Sequence, residues 1–476
     1  MNSLDLARWQ FGLTTLLHFA VVGISIGLVL HVAWMQTRWH RTGDERYLRL
    51  TRFYGKLMLL SFAVGVVTGI LQSFQFGMNW SRFSAYVGDV FGAPLALEGL
   101  GAFFVEAVFL GLWMFGWGRL PRRLHLACVW IVAGAALLSA YAILVANTWM
   151  QHPVGYELVD GRARLTNVLP VLFNVNVGLT TAHVLFGALL AGTTIVLAVA
   201  AVQLLRGRDA EVFRPVVAFG LKVGLVAAIG AATFGHFQGM LALKQQPMKM
   251  AAAEALYETE SPAGLSLFAL AGISTDPGRL LVDVKLPVAL SVLNDFSTSS
   301  TVRGIDELQA EAEARYGPGD YTPVVGLMYW SFRTMVGGGT ALIGIMAFGL
   351  WLLWRGSLFG GGVGARRYLR LLLLAPALPL LAQAGGWILR EGGRQPWIVE
   401  GLLRTDVANS PNVGLLAVAL SLGGYLLVYA LAFLFAGRTA VHEVREGLEG
   451  EHSLSPAPGA EAGRRSSSSS DLALTY

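Results

Sequence analysis

Charge is scarce in this sequence: Asp, Glu, Lys and Arg make up 14% of its 476 residues, whereas 54% are hydrophobic. Soluble domains carry roughly a quarter charged residues, so a water-exposed surface over the whole chain is excluded. Cysteine is nearly missing. The single Cys128 lies within an apolar run and reads as a small buried apolar residue, which excludes a disulfide framework and a cysteine-based metal site. There is no glycine-rich phosphate loop after a strand, no Cys/His finger spacing and no repeat of fixed period. Nucleotide chemistry and nucleic-acid partners are therefore not indicated, and the net charge of +5 has a simpler origin in the placement of arginines described next.

Long apolar runs fill the space that charge leaves. A helix needs roughly twenty apolar residues to cross about 30 Å of hydrocarbon, and such runs fall at 11–35, 55–76, 93–117, 125–148, 180–205, 216–238, 325–353, 368–389 and 412–436. The first, Phe11 to Met35, has no Asp, Glu, Lys or Arg and is too long for a signal-peptide core, so it is expected to remain as a span. The expected fold is an all-α polytopic membrane protein of about nine transmembrane helices with one long external loop. Residues 1–238 carry spans one to six, 239–324 the external loop and 325–436 spans seven to nine; 437–476, polar and Ser-rich with no apolar face to bury, is expected to be a disordered cytoplasmic tail.

Alternate connections differ in charge. Arg38, Arg41, Arg46, Arg49 and Arg52 follow span one; Arg119, Arg122 and Arg123 follow span three; Arg206, Arg208 and Arg214 follow span five; Arg355, Arg366, Arg367 and Arg370 follow span seven. The positive-inside rule makes these loops cytoplasmic, which puts the N-terminus outside and the C-terminus inside. Lys56 and Lys222 then sit where a long side chain reaches the interface.

An ionisable side chain within a span is costly and therefore a candidate for function. Of nine histidines, His40, His152, His442 and His452 fall in loops or tail, and His31 and His125 near cytoplasmic span ends. His18, His183 and His236 remain, all in the outer half. A buried neutral imidazole there either bonds across helices or ligates a haem iron, and depth alone does not separate the two. Glu98 and Glu106 are eight residues apart on span three, which in an α-helix means about 12 Å of rise and roughly 80° of rotation. They read as two stations of a proton path or as structural pairs with another helix. Trp387 and Glu391 share a face of span eight just before Pro396 ends it. Met335, beside Arg333 at the outer start of span seven, is at the depth of His183. A His/Met pair is a recognised axial set for low-spin haem, and an adjacent Arg suits a propionate. His18, Glu98, His183, Met335 and Glu391 thus converge beside the long loop.

At these residues the chain resembles subunit I of the cytochrome bd quinol:oxygen oxidase family over about residues 5 to 435. The stretches that carry the resemblance are Arg8-Trp9-Gln10-Phe11 leading to His18-Phe19; Phe74-Gln75-Phe76-Gly77 with Asn79-Trp80; Val87-Gly88-Asp89-Val90-Phe91-Gly92-Ala93-Pro94-Leu95 through Glu98-Gly99; Ala146-Asn147-Thr148-Trp149-Met150-Gln151; Gln246-Pro247-Met248-Lys249-Met250-Ala251-Ala252 to Glu254; and Gly393-Arg394-Gln395-Pro396-Trp397. Singly such strings are moderately specific; in this order on this many spans the set is strong.

The resemblance implies that His183 and Met335 are the axial ligands of low-spin haem b, with Arg333 beside it. It implies that His18 ligates one of two high-spin haems, a haem b and a haem d, and that Glu391 with Trp387 serves the other, with Arg394 in the same pocket; which haem takes which pocket stays open. Glu98 and Glu106 match intramembrane acids implicated in haem binding and proton delivery. The long loop matches the quinol-binding loop, with Gln246, Lys249 and Glu254 at positions implicated in quinol oxidation. Many relatives have Glu-Ala-Gly-Trp where this chain has Ala384-Gly385-Gly386-Trp387, and the loop is compact, without the insertion of the long-loop subgroup.

The implied activity oxidises quinol at the outer face of a bacterial plasma membrane and reduces O2 to water without a pumping device. The implied partners are membrane lipid, a subunit II and often a small single-span subunit. Three other readings bracket this one, of which a non-catalytic scaffold leaves the five depth-matched candidates unexplained. An oxidase carrying only b-type haem has the same ligands. A transporter with intramembrane proton relays needs inverted repeats with interrupted helices, and no such internal symmetry is present.

Overall fold

The computed structural model describes residues 2–270 and 282–448. Among the described residues nine helices are long and apolar enough to cross a membrane: α1 Ser3–Thr42, α2 Glu45–Met78, α3 Ser81–Phe115, α4 Arg122–Gln151, α5 Val175–Leu205, α6 Ala210–Gln245, α7 Val325–Trp354, α8 Val363–Gly392 and α9 Leu415–Glu446. The helices run past the apolar stretches because an apolar run marks only the lipid-crossing part; polar residues in the interface continue the same backbone ladder. The clearest case is α9, which continues through Gly437 to Glu446, so the first ten residues of the expected tail are helical. The rest of that tail, from residue 449 and including His452, lies outside the described residues.

Local chemistry sets the helix ends. Asn2 and Asp5 form a reciprocal capping box at the start of α1, with the Asp5 N–H donating to the Asn2 side chain (2.8 Å). Asp44 caps α2 by accepting from the Arg46 N–H (3.0 Å), and Asn174 caps α5 by accepting from the Val177 N–H (3.1 Å). Two prolines act inside spans. Pro376 separates the two segments of α8, Val363–Leu374 and Ala377–Gly392. Pro94 removes a donor from α3, and three residues later the ladder opens into a π-helical stretch, Leu97–Phe103. Glu98 lies in that stretch. Its wider turns advance each residue by less than an α-helix does, so Glu98 and Glu106 are drawn nearer a common face than the roughly 80° expected of regular helix.

α1, α4 and α5 form the centre of the bundle: 56%, 56% and 61% of their most apolar windows are buried, against 6% for α3. α1 packs along α2 and α5, α5 along α6, and α7 along α8. Where α1 crosses α5 the backbones touch. A Cβ on Gly27 would lie 2.6 Å from the Gly192 Cα, and one on Gly192 would lie 2.4 Å from the Gly27 Cα, so only glycine fits at either position. Three short antiparallel hairpins, all at the end of the bundle opposite the arginine-rich connections, were not expected from the sequence: Tyr156–Val159 with Arg162–Leu165, Leu265–Leu270 with Val282–Leu286, and Trp397–Val399 with Leu403–Arg404.

The connection between α6 and α7 is ordered through much of its length. It holds the helices Pro247–Glu254, Ala289–Asp295 and Ile305–Tyr316 besides its hairpin. Ala251, Ala252 and Ala253 pack with Ile305, Leu308, Met328, Tyr329 and Leu389, which seats this loop on the ends of α7 and α8.

Gly192→Val is expected to lower thermal stability by about 1 to 3 kcal/mol or to abolish assembly, because the added methyls meet backbone rather than a movable side chain. Gly134→Ala, with nothing within 4 Å of the new Cβ, should melt as wild type does. Equal melting curves for the two variants would remove the contact from the account.

Candidate functional site

Four interior histidines divide by how their ring nitrogens are used. His125 accepts from Gln36 at Nδ1 (2.8 Å) and donates from Nε2 to the Trp113 carbonyl (2.8 Å). His31 is bonded at Nδ1 to the Gly27 carbonyl (2.8 Å) and at Nε2 to Thr193 (3.3 Å). Both rings are fully occupied within the protein, as structural histidines are. His18 and His183 differ. His18 Nδ1 is 2.9 Å from the Thr68 hydroxyl, whose own proton goes to the Val64 carbonyl (2.8 Å). That hydroxyl accepts, so Nδ1 carries the proton. His183 Nδ1 donates to the Ala231 carbonyl (2.8 Å). In both rings Nε2 is then a lone-pair donor with no hydrogen bond among the described residues. His236 lies against the rings of Phe237 and Phe296, each centroid 5.7 Å away, and is not drawn to this pair.

Contacts along α8 show that the two histidines are level. Gln383 donates to the Gly187 carbonyl (3.2 Å) and Arg390 reaches Thr180 (3.5 Å), so α8 runs antiparallel to α5 with Trp387 opposite His183. Against α1, the Phe19 and Trp387 rings are 5.7 Å apart, which puts His18 in the same layer. A Cβ on Gly386 would lie 2.9 Å from the Met335 Sδ, so Met335 joins that layer from α7. Buried polar atoms without a partner among the described residues gather nearby: Gln72 Oε1, Thr181 Oγ1, Gln383 Oε1, and Arg394 Nε and NH1.

Glu391 stands one turn nearer the loop. Its Oε1 accepts from Asn147 (2.8 Å) and Gln151 (3.2 Å), and its Oε2 from Arg394 (2.5 Å). Arg390, also in α8, donates to Asn147 (2.5 Å) and Thr148 (3.1 Å). Glu98 is the one of the five converging candidates that the structure sets apart. It accepts from Ser139 (3.4 Å), eight residues and about 12 Å deeper along α4 than Asn147. Glu106 follows another eight residues along α3 towards the arginine-rich end.

The loop helix Pro247–Glu254 adds two buried charges. Lys249, 6% exposed, donates to Gln151 and Gln246, each at 2.5 Å. Burial, with Arg390 and Arg394 nearby, lowers its pKa well below the usual lysine range, against the opposing pull of Glu400 and Glu391. Glu254 pairs with Arg333 (2.6 Å), and burial raises its pKa although that guanidinium opposes the shift. Arg333 also donates to the Ser266 carbonyl through Nε (3.0 Å) and stacks over Tyr329. The expectation of Arg333 beside a haem and Glu254 beside a quinol therefore meets a structure in which the two form one ion pair. Thr68, Arg390 and Glu400 were passed over in the sequence. Arg390, a charge inside a span next to Glu391, was the visible signal; Thr68 and Glu400 matter only through tertiary contacts.

Nine spans among the described residues, with His18, His183, Met335 and Glu391 contributed singly by four of them, define a polytopic helical membrane protein. The chain belongs to the cytochrome bd terminal oxidase subunit I family, whose model matches residues 6–448. It is 43% identical to the cytochrome bd ubiquinol oxidase subunit 1 of Bacillus subtilis (strain 168), over 94% of this chain and 95% of that one. It is 35% identical to the cytochrome bd-II ubiquinol oxidase subunit 1 of Escherichia coli (strain K12), over 88% and 92%. The structure of bd oxidase from Geobacillus thermodenitrificans matches with a TM-score of 0.83 at 28% identity, over 94% of this chain and 100% of that one. The family is one of haem-using terminal oxidases built with a second subunit, and this chain is a multi-pass membrane member of it.

Removing one partner of the buried Glu254–Arg333 pair leaves the other uncompensated. Glu254→Ala should cost about 3 to 5 kcal/mol and expose the loop to protease, and adding Arg333→Met should restore much of the loss. Additive losses in thermal melts of the single and double variants would show that the pair does not hold the loop.

Proposed function

We propose that this chain is the haem-bearing catalytic subunit of a cytochrome bd-type quinol:oxygen oxidoreductase, oxidising quinol at the loop end and reducing O2 to water within the bundle. The observation that carries this reading is the level pair His18 and His183, each with Nδ1 tied off and Nε2 bare. A bound haem would supply redox-active iron chemistry, and these residues would complete its ligation. His183 with Met335 is suited to low-spin haem b. His18 suits one high-spin haem, and Glu391 with Trp387 the other, these being a high-spin haem b and a haem d. Arg394, 4% exposed with Nε and NH1 unpartnered among the described residues, is the better clamp for a propionate; Arg333 is committed to Glu254 and Ser266 and anchors the loop.

Quinol oxidation releases two protons with its electrons. Gln246, Lys249 and Glu254 are read as the quinol-binding side chains, and the burial that moves Lys249 down and Glu254 up brings both nearer to exchanging protons at neutral pH. The arginine-rich loops are read as cytoplasmic, so the N-terminus is outside and quinol protons leave outside. Protons consumed by oxygen enter past Glu106 and then Glu98, which separates charge without pumping, at about 2.3 kcal/mol per charge per 100 mV. Subunit II and a small single-span subunit complete the assembly.

A reduced-minus-oxidised spectrum of the purified complex, with pyridine extraction, should give b haem and a chlorin-type haem d. Haem b alone supports the haem-d-lacking oxidase, and a folded complex without haem sinks the reading. Met335→Leu should remove the low-spin b signal and leave the others. Glu106→Gln should lower turnover by about tenfold or more with haem retained; unchanged turnover and haem content would dismiss the proton route.

A further inference from the structure

Lys249 is held between two glutamines, and each glutamine is held by a carboxylate. On one side the Gln151 Oε1 accepts from Lys249 while its Nε2 donates to Glu391 (3.2 Å). On the other the Gln246 Oε1 accepts from Lys249 while its Nε2 donates to Glu400 Oε2 (2.9 Å). An ionised carboxylate only accepts and an ammonium only donates, so neither amide can turn over without losing both bonds. Glu400 is itself fixed: it lies in the turn of the Trp397–Val399 hairpin, where its N–H donates to the Met150 carbonyl at the end of α4 (3.0 Å). No motif marks it.

We propose that Glu400 is a positioning residue for quinol oxidation: by holding the Gln246 amide with its oxygen towards Lys249, it fixes where that amine stands and how strongly it holds a proton. This inference rests on the quinol reading above. The charged groups around Lys249 are Glu400 and Glu391, which favour its protonated form, and Arg390 and Arg394, which oppose it. Glu391 is engaged by Asn147 and Arg394 as well as Gln151, whereas among the described residues Glu400 accepts from the one glutamine, so Glu400 is the partner whose charge can be removed with least disturbance elsewhere. With Glu400 neutral, Gln246 is free to turn its Nε2 towards Lys249. The ammonium then loses an acceptor and a nearby negative charge together. If the neutral amine takes up a proton from quinol, the ascending limb of the rate profile must then move to lower pH.

The test is oxygen uptake by the whole complex with a short-chain ubiquinol as donor, measured against pH for wild type, Glu400→Gln and Glu400→Asp, with haem content checked by spectrum. Glu400→Gln is expected to lower kcat about tenfold at an unchanged haem spectrum and to shift the ascending limb acidward by about one pH unit, with KM for the quinol within about twofold. Glu400→Asp should restore part of both effects. A profile that superimposes on wild type, or a fall that is uniform across pH with a raised KM, overturns the positioning role. Should Glu400→Gln fail to assemble, Gln246→Leu removes the same bridge while keeping the charge and must give a smaller acidward shift; an unmoved limb in that variant also overturns it. Wild-type complex that takes up oxygen from an artificial one-electron donor but from neither a short-chain ubiquinol nor a menaquinol defeats the quinol reading itself, an outcome distinct from any of the variant results.

Discussion

A ring nitrogen inside a lipid-embedded bundle must find its hydrogen bond within the protein, because no water is at hand to supply one. His31 and His125 meet that demand twice over. Among the described residues His18 and His183 meet it once, through Thr68 and the Ala231 carbonyl, which leaves the second nitrogen of each ring bare. Gly69 and Gly235 leave room beside the two rings: a Cβ at either position would come within about 3.0 Å of an imidazole. Trp387 on α8 lies opposite His183 and against Phe19, and Gln72, Thr181, Gln383 and Arg394 carry polar atoms without a partner among the described residues. A bundle optimised for stability alone would have replaced such atoms with apolar ones.

The loop end follows a different rule. Charges there are numerous and buried, and several are satisfied through an intermediary or an opposite charge: Lys249 by two amides, Glu391 by two amides and an arginine, Glu254 by Arg333. These partners come from α4, α7, α8, the loop helix and the Trp397 hairpin. The elements are held in register by polar contacts that tolerate little displacement, which suits a surface where a diffusible substrate has to meet fixed donors and acceptors.

Much of this was legible in the sequence because the lipid imposes a pattern of its own. Apolar runs located every span, and arginines in alternate connections divided the loops into two sets. The cost of charge in hydrocarbon singled out His18, His183 and Glu391, and depth beside His183 singled out Met335, all of which the structure gathers; the same cost singled out Glu98, which it places deeper. What escaped depends on contacts between distant residues. The π-helical turn at Glu98 follows from Pro94 and its neighbours rather than from composition. Thr68 looks like any small residue of a membrane helix until its hydroxyl is seen to be committed to Val64. Glu400 sits in an unremarkable turn, and Arg333 and Glu254 are far apart in the chain. The end of α9 was missed because its ten residues are mostly polar in sequence, whereas in the fold Ala440 and Val444 pack on the core and Gln203, Arg206 and Arg208 bind its last carbonyls.

The backbone contact between Gly27 and Gly192 acts as a common datum for the two proposed iron-binding helices. His18 precedes Gly27 by nine residues and His183 precedes Gly192 by nine, so along parallel helices each ring stands about 13 to 14 Å from the same crossing point. Neither helix can slide without lifting its glycine off the other, so height is fixed and only the angle between the helices is left to vary. The gap between the two histidines is thus set like the opening of a pair of dividers pinned at one joint. Any residue that alters the crossing angle, however far from either ring, changes the separation across which an electron would have to pass.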